Sequence, residues 1–76
     1  MQLSDLSVGH KARVTAFLRG DTAYRRRLLA LGLVPGTEFT VIRMAPLGDP
    51  VEILVRGCAL SVRKGEAGVL QVEVLP

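Results

Sequence analysis

Alternating apolar and polar positions along the chain predict five short β-strands. We expect these strands at residues 11–18, 37–44, 51–55, 58–63 and 69–74. In the second strand Phe39 and Val41 alternate with Thr40 and Ile42, so both faces carry apolar groups. Because a strand that is apolar on both faces is usually covered on both sides, the pattern predicts a central position for it.

One segment between the first two strands has helical spacing instead. Asp21 is a suitable N-cap, and a helix is predicted from about residue 22 to residue 31. At 100° per residue, Tyr24, Leu28 and Leu31 share one face, which we expect to face the core. A further single helical turn is predicted at residues 64–68, which are too few and too rich in glycine for a longer helix.

The chain reverses sharply where the helix gives way to the second strand. Gly32 suits the left-handed position just after a helix, because it has no Cβ to clash there. Pro35 and Gly36 suit the two central positions of a type II turn. The sequence therefore predicts a tight joint over residues 32–36.

The order of the elements indicates the fold class. Five antiparallel strands and one helix within 76 residues are too few for a sandwich and indicate a closed or partly open barrel. We expect a mainly β, SH3-like barrel that forms a single domain over residues 1–76, with one α-helix inserted after the first strand. An OB-fold is the main alternative, but its five strands and loops usually need a longer chain.

Composition adds limits on location and partners. The chain is 49% hydrophobic and 22% charged, as a globular domain is, and no apolar run approaches the ~18 residues that span a bilayer. Its single cysteine forms no internal disulfide and no leader pattern is visible, so we expect a cytoplasmic location. Ten Lys and Arg against seven Asp and Glu give a net charge of +3, which weakly favours an acidic partner.

No group of residues predicts catalysis or a built metal site. His10 and Cys58 are the chain's only histidine and cysteine, whereas a zinc site needs three or four protein ligands. We expect Cys58 to be partly buried and His10 to lie exposed in a loop. We therefore expect no enzyme, no cofactor and no catalytic residue, and keep a weak metal-responsive domain as an alternative.

A run of three arginines on the predicted helix is the strongest concentration of charge. Three successive residues spread over about 200° of a helix, so we assign a partner-binding role to Arg25 and Arg26 only. A basic barrel that binds nucleic acid is a second alternative. It is disfavoured because single-strand binding needs aromatic stacking platforms, and the chain has only Phe17, Tyr24 and Phe39.

Three leucines are candidates for exposed apolar surface, and for Leu47 a place in the core is hard to arrange. Leu29 flanks the helix face, Leu33 lies in the joint, and Leu47 lies between two prolines in the loop over residues 45–50. Exposed leucines that cluster on one side of a domain indicate a protein contact. We therefore expect these three to contribute to an interaction surface.

Several short motifs together resemble the FeoA family, the small cytoplasmic component of bacterial ferrous iron transport. The motifs are Arg27, Leu28, Leu31 and Gly32; the turn Pro35, Gly36 and Thr37; the loop Pro46 to Pro50; and Leu60, Val62, Arg63 and Ala67. The resemblance covers nearly the whole chain, from about Leu3 to Val74. It implies an SH3-like barrel with an inserted helix, as the strand pattern also does.

The resemblance also implies a partner. FeoA-like proteins are thought to act with FeoB, a membrane transporter with a cytoplasmic GTP-binding domain, to which this chain would be recruited at the inner face of the membrane. Similar domains occur in metal-dependent repressors, but the sequence contains no helix-turn-helix segment that could read DNA. The expected contact surface consists of Arg25, Arg26, Leu29, Leu33, Leu47, Gly48 and Asp49.

Overall fold

A computed structural model describes residues 2–18, 22–63, 65 and 68–76. A 3₁₀ turn at Leu3–Asp5 precedes β1 (Lys11–Phe17), α1 (Thr22–Ala30), β2 (Glu38–Met44), β3 (Val51–Val55), β4 (Cys58–Val62) and β5 (Leu70–Val74). The predicted helix and all five predicted strands are confirmed, with ends that differ by one residue. The predicted N-cap Asp21 and most of the predicted turn at 64–68 lie outside the described residues.

The strands form one antiparallel sheet in the order β4-β3-β2-β1-β5, so the predicted central position of β2 is confirmed. Two irregularities interrupt its ladders. The β1–β5 register shifts between Val14 and Ala16, and the β2–β3 register shifts between Val41 and Arg43. A bulge bends its strand and increases the local twist, which helps the sheet to curl around its inner face.

The bulge in β1 overturns one detail of the predicted pattern. Strict alternation places Ala16 and Leu18 on the same side as the buried Val14, but both are exposed and Phe17 packs against the core instead. The extra residue is Thr15, whose hydroxyl donates a hydrogen bond of 3.0 Å to the Gln71 carbonyl oxygen. Because one inserted residue reverses every later side chain, the end of β1 presents its other face inward.

The core is one cluster of buried side chains. Four of the strands each contribute at least two buried residues, and β4 contributes the buried Val62 and the half-buried Leu60. Its largest wholly buried side chains are Phe39, Leu3, Leu28, Leu33, Ile53 and Leu70. Leu28 is the buried residue of α1, whereas Leu31 is half-buried and Tyr24 is 39% exposed. The helix therefore lies on the barrel with most of its surface open to solvent.

The joint after α1 forms as predicted, with Gly32 at φ +89° and Gly36 at φ +94°. The Leu33 amide donates to the Leu28 carbonyl and the Gly32 amide donates to the Leu29 carbonyl, both at 3.0 Å. These two bonds define a Schellman motif, which satisfies carbonyl groups left free at a helix end.

This motif corrects the prediction for Leu33. The residue after the left-handed glycine normally makes an apolar contact back to the last helical turn. Leu33 occupies that position. Leu33 and Leu28 are both wholly buried and belong to the same core cluster. Leu33 is therefore a core residue and does not contribute to an exposed contact surface.

The turn that follows is tied to β1. The Thr37 amide donates to the Val34 carbonyl at 3.0 Å, which closes the predicted type II turn around Pro35 and Gly36. Gly36 donates to the Val14 carbonyl at 2.7 Å and Val14 donates to Thr37 at 2.9 Å. The turn between the helix and β2 is thereby fixed to β1.

Candidate partner-binding surface

Three of the expected contact residues lie together on α1, and we refer to Arg25, Arg26 and Leu29 as the helix patch. All three are exposed, and Leu29 is 38% exposed. The Arg25 guanidinium carbon lies 5.8 Å from the centre of the Phe17 ring, within the range of a cation–π contact. The patch therefore presents positive charge beside an apolar side chain at the end of β1.

The other expected residues, Leu47, Gly48 and Asp49, form the loop tip between β2 and β3. Leu47 is 91% exposed, the highest value among the large apolar side chains that the structure describes. The Gly48 amide donates to the Ala45 carbonyl at 2.7 Å, and Ala45 donates to Pro50 at 3.1 Å across the base of the loop. Leu47 is thus held outward at the apex of a hydrogen-bonded turn.

The helix patch and the loop tip lie at opposite ends of β2. The joint delivers the chain from α1 to Glu38, whereas the loop leaves β2 at Met44. Six steps of about 3.3 Å along a strand separate these points by about 20 Å. The structure therefore does not bring the expected residues into one cluster, although a contact area of about 800 Å² per partner is wide enough to span both.

The outer face of the sheet is electrically balanced. Four ion pairs connect its charged residues: Lys11 with Glu38 at 3.5 Å, Arg13 with Glu38 at 3.7 Å, Arg13 with Glu73 at 3.0 Å, and Arg43 with Glu52 at 3.7 Å. Three basic and three acidic residues cancel here, so the other seven basic and four acidic residues of the sequence carry the net charge of +3. Two of those basic residues belong to the helix patch.

Arg56 is a residue near the end of α1 that the sequence analysis missed. Among the residues that the structure describes, Arg56 is the non-glycine residue with a positive φ, which is +50°. With Gly57 it forms the two-residue turn between β3 and β4. One of its guanidinium nitrogens, Nη1, lies 3.9 Å from the position that a Cβ on Gly32 would occupy. The sequence signal that could have identified Arg56 is an Arg-Gly pair at a turn where Asn-Gly is usual.

Positive charge beside Gly32 suits the end of the helix. The carboxyl end of a helix carries a partial negative charge, which an arginine nearby stabilises. Arg56 therefore brings a second element of the barrel to the helix end and extends the basic character of that end of the molecule.

The structure does not bring His10 and Cys58 together. His10 precedes β1 and Cys58 begins β4, so β2 and β3 lie between them. The His10 Nδ1 accepts a hydrogen bond of 3.0 Å from the Ser7 amide. Cys58 is exposed, not partly buried as predicted, because it lies at the end of an edge strand.

Other kinds of site find little support in the part of the chain that the structure describes. That part contains no group of three or more His, Cys, Asp or Glu residues placed to hold a metal ion, and no ligand-sized pocket. Among the aromatic side chains, Phe39 is buried, Phe17 is half-buried and Tyr24 is 39% exposed. None of the described helices is long and apolar enough to cross a membrane.

A small curled sheet of five antiparallel strands with one helix inserted after the first strand is the architecture of an SH3-like domain. The FeoA domain model matches residues 1–74, and the chain belongs to the FeoA family. The expected family is thereby confirmed.

Known relatives agree in sequence and fold. A curated fusion protein of Fe(2+) transport protein A and the Fe(2+) transporter FeoB from Porphyromonas gingivalis is 36% identical over 75 residues, which are 99% of this chain and 9% of the fusion protein. The solution structure of FeoA from Chlorobium tepidum is 45% identical, with a TM-score of 0.88 over 100% of this chain and 71% of that chain.

A third relative supports the expected fold class. The zinc complex of Stenotrophomonas maltophilia FeoA is 30% identical, with a TM-score of 0.81 over 96% of this chain and 89% of that chain. It is described as a prokaryotic SH3 domain protein and is suggested to act as a ferrous iron transport activating factor. The expected mainly β, SH3-like fold is confirmed.

Proposed function

We propose that this protein is a non-enzymatic accessory module of ferrous iron transport that docks on the cytoplasmic GTP-binding part of a FeoB transporter. The observation that carries the proposal is the fusion relative, in which a region similar to this chain is joined to FeoB in one polypeptide. Fusion keeps two binding partners at a high effective concentration, which favours pairs that work in contact.

The helix patch and the loop tip are the proposed contact surface. Leu29 and Leu47 supply apolar area that loses contact with water on docking, while Arg25 and Arg26 attract acidic groups of the partner. The electrically balanced sheet face contributes little to this attraction, because its charges are already paired.

The contribution of Leu47 can be estimated from its exposure. Leucine exceeds alanine by three carbon atoms, and burial of each contributes about 0.8 kcal/mol. Leu47 is 91% exposed in the free protein, so nearly this whole gain of about 2 kcal/mol is available on docking. Its loss corresponds to an affinity about 30 times lower.

The test is an NMR amide-shift titration of the labelled protein with the soluble GTP-binding part of FeoB. We expect shifts in the helix patch and the loop tip, and weaker binding for Leu29→Asp and Leu47→Asp. Ile42→Asp is the matched control for Leu29→Asp, because Ile42 and Leu29 are both 38% exposed but Ile42 lies in β2.

Two results would contradict the proposal in different ways. If neither nucleotide state of the FeoB part causes shifts, this partner domain is wrong. If binding occurs and both aspartate variants bind as tightly as the Ile42→Asp control, the partner is right and the assigned surface is wrong.

A further inference from the structure

The outer edge of β4 is open in the part of the chain that the structure describes. The strand lies at the end of the sheet and pairs with β3 on its inner side only. In a two-residue hairpin the closing pair, here Val55 and Cys58, exchanges hydrogen bonds, and the pattern then alternates along the ladder. The backbone amide and carbonyl groups of Ala59 and Ser61 therefore point away from β3.

This edge lacks the usual protection against strand pairing. Proteins blunt exposed edges with charged residues, proline or bulges, because unpaired backbone groups recruit other chains. The segment Cys58–Val62 contains no charged residue and no proline, and its register with β3 is regular. The opposite edge strand β5 carries Glu73.

The side chains beside the edge suit an added strand. Ala59 lies opposite Leu54, which is 40% exposed on the outer sheet face. Because alanine is small, an apolar side chain on the next strand can reach Leu54 across it, and such neighbouring pairs stabilise sheets. A strand added here would meet an apolar surface as well as free backbone groups.

Charge distinguishes between the possible occupants. Arg56 lies on the turn before β4 and Arg63 directly follows the strand, so both ends are basic. If β4 paired antiparallel with β4 of a second copy, with the two Leu60 residues opposite each other, Arg63 of one copy would lie opposite Gly57 of the other. It would then also lie next to Arg56 of that copy. Like charges at both ends oppose self-pairing, whereas acidic residues at the ends of a partner segment would be attracted.

We propose that the β4 edge binds an extended segment of a partner protein by strand addition, and that this segment has an alternating apolar centre and acidic ends. Backbone hydrogen bonds to Ala59 and Ser61 would provide the pairing, and the apolar surface around Leu54 would provide side-chain selectivity. The edge is distinct from the helix patch and the loop tip, so the inference does not depend on docking to FeoB.

The test uses a synthetic peptide, acetyl-Glu-Asp-Val-Thr-Val-Thr-Val-Asp-Glu-amide, with hydrogen exchange followed by NMR. At saturating peptide we expect exchange of the Ala59 and Ser61 amides to slow at least tenfold. The amides of Cys58 and Leu60 already face β3, so they should change less. Absence of binding at millimolar peptide would overturn the proposal.

Variants of Ala59 separate the backbone contact from the side chain. Ala59→Pro removes an outward amide and should weaken binding at least tenfold, whereas Ala59→Ser keeps both the amide and a small side chain and should bind about as tightly as the parent. Equal binding by the two variants would overturn the proposal.

Semisynthesis removes the same hydrogen-bond donor if Ala59→Pro does not fold. Cys58 is the chain's only cysteine and follows Gly57, so a 1–57 thioester can be ligated to a synthetic 58–76 segment that carries N-methylalanine at position 59. Ligation with ordinary alanine is the control, and equal binding by the two products would overturn the proposal.

Two further controls test the charge argument. A peptide with lysine in place of the acidic end residues should bind at least tenfold more weakly, and equal binding would overturn the proposed chemistry of the partner. Protection of the Ala59 and Ser61 amides that grows with protein concentration, without peptide, would instead identify a second copy as the occupant and overturn the proposal.

Discussion

Replacing Gly36 with alanine tests whether the joint between α1 and β2 depends on backbone conformation alone. Gly36 has φ +94°, and an added Cβ would have no neighbour within 4 Å beyond the two adjacent residues of the chain. Steric overlap with the rest of the fold is therefore not a cost. A left-handed conformation costs an L-residue about 1–2 kcal/mol, which predicts a loss of that order in the free energy of unfolding for Gly36→Ala.

Gly65→Ala is the matched control because the chemical change is identical. Gly65 does not have a positive φ, and its added Cβ would lie 3.7 Å from the Tyr24 hydroxyl oxygen, an ordinary van der Waals distance. Replacing glycine by alanine at a compatible position stabilises a protein by about 0.4–1 kcal/mol, through the lower entropy of the unfolded chain. The two variants should therefore differ by about 2 kcal/mol, in opposite directions from the parent.

Urea unfolding followed by circular dichroism measures both variants. For a domain of this size, 1 kcal/mol corresponds to about 4–8 °C in Tm, so thermal unfolding gives an independent reading. A Gly36→Ala variant as stable as the parent would refute the role of the positive φ. A Gly65→Ala variant destabilised by more than about 1 kcal/mol would refute the assignment of its Tyr24 contact as unstrained.

Two further comparisons test the core and the charged sheet face. Leu33→Ala should lower the free energy of unfolding by about 2–4 kcal/mol because Leu33 is wholly buried, whereas Leu47→Ala should change it by less than about 0.5 kcal/mol. Urea unfolding measures both variants, and equal effects would contradict the placement of Leu33 in the core and Leu47 at the surface. Glu38→Gln removes the carboxylate that pairs with both Lys11 and Arg13, whose side chains, like that of Glu38, are 41–57% exposed. The free energy of unfolding should therefore fall by less than about 1 kcal/mol, and by less still in 1 M salt. A larger fall that persists in salt would contradict an exposed ion pair.

The joint shows what local sequence chemistry can predict. Gly32 and the pair Pro35–Gly36 have conformational preferences that depend on their own atoms, and both adopt the expected geometry. The burial of Leu33 follows from the same motif, because the residue after the left-handed glycine packs back on the helix end. Leu33 was wrongly predicted to lie at the surface because the cap at Gly32 was predicted without the apolar contact that the next residue makes.

Other features depend on pairing between distant segments. The bulge at Thr15 is invisible to a period-two pattern, yet it decides that Phe17 and not Ala16 packs inward. The distance between the helix patch and the loop tip follows from the length and direction of β2, which join them only once the sheet is formed. Arg56 reaches Gly32 because the β3–β4 turn and the helix end meet in the fold, a contact between residues 24 positions apart.

The separation of charge from the most exposed leucine would give the proposed docking two distinct parts. Ion pairs balance the outer sheet face, so attraction at a distance would arise at α1, where Arg25 and Arg26 are exposed. Leu47 lies beyond the far end of β2, about 20 Å along that strand from the joint, and would act only on contact, because loss of water from apolar surface has short range. In the proposed complex the arginines would therefore set mainly the salt-dependent association rate, and Leu47 would set mainly the dissociation rate.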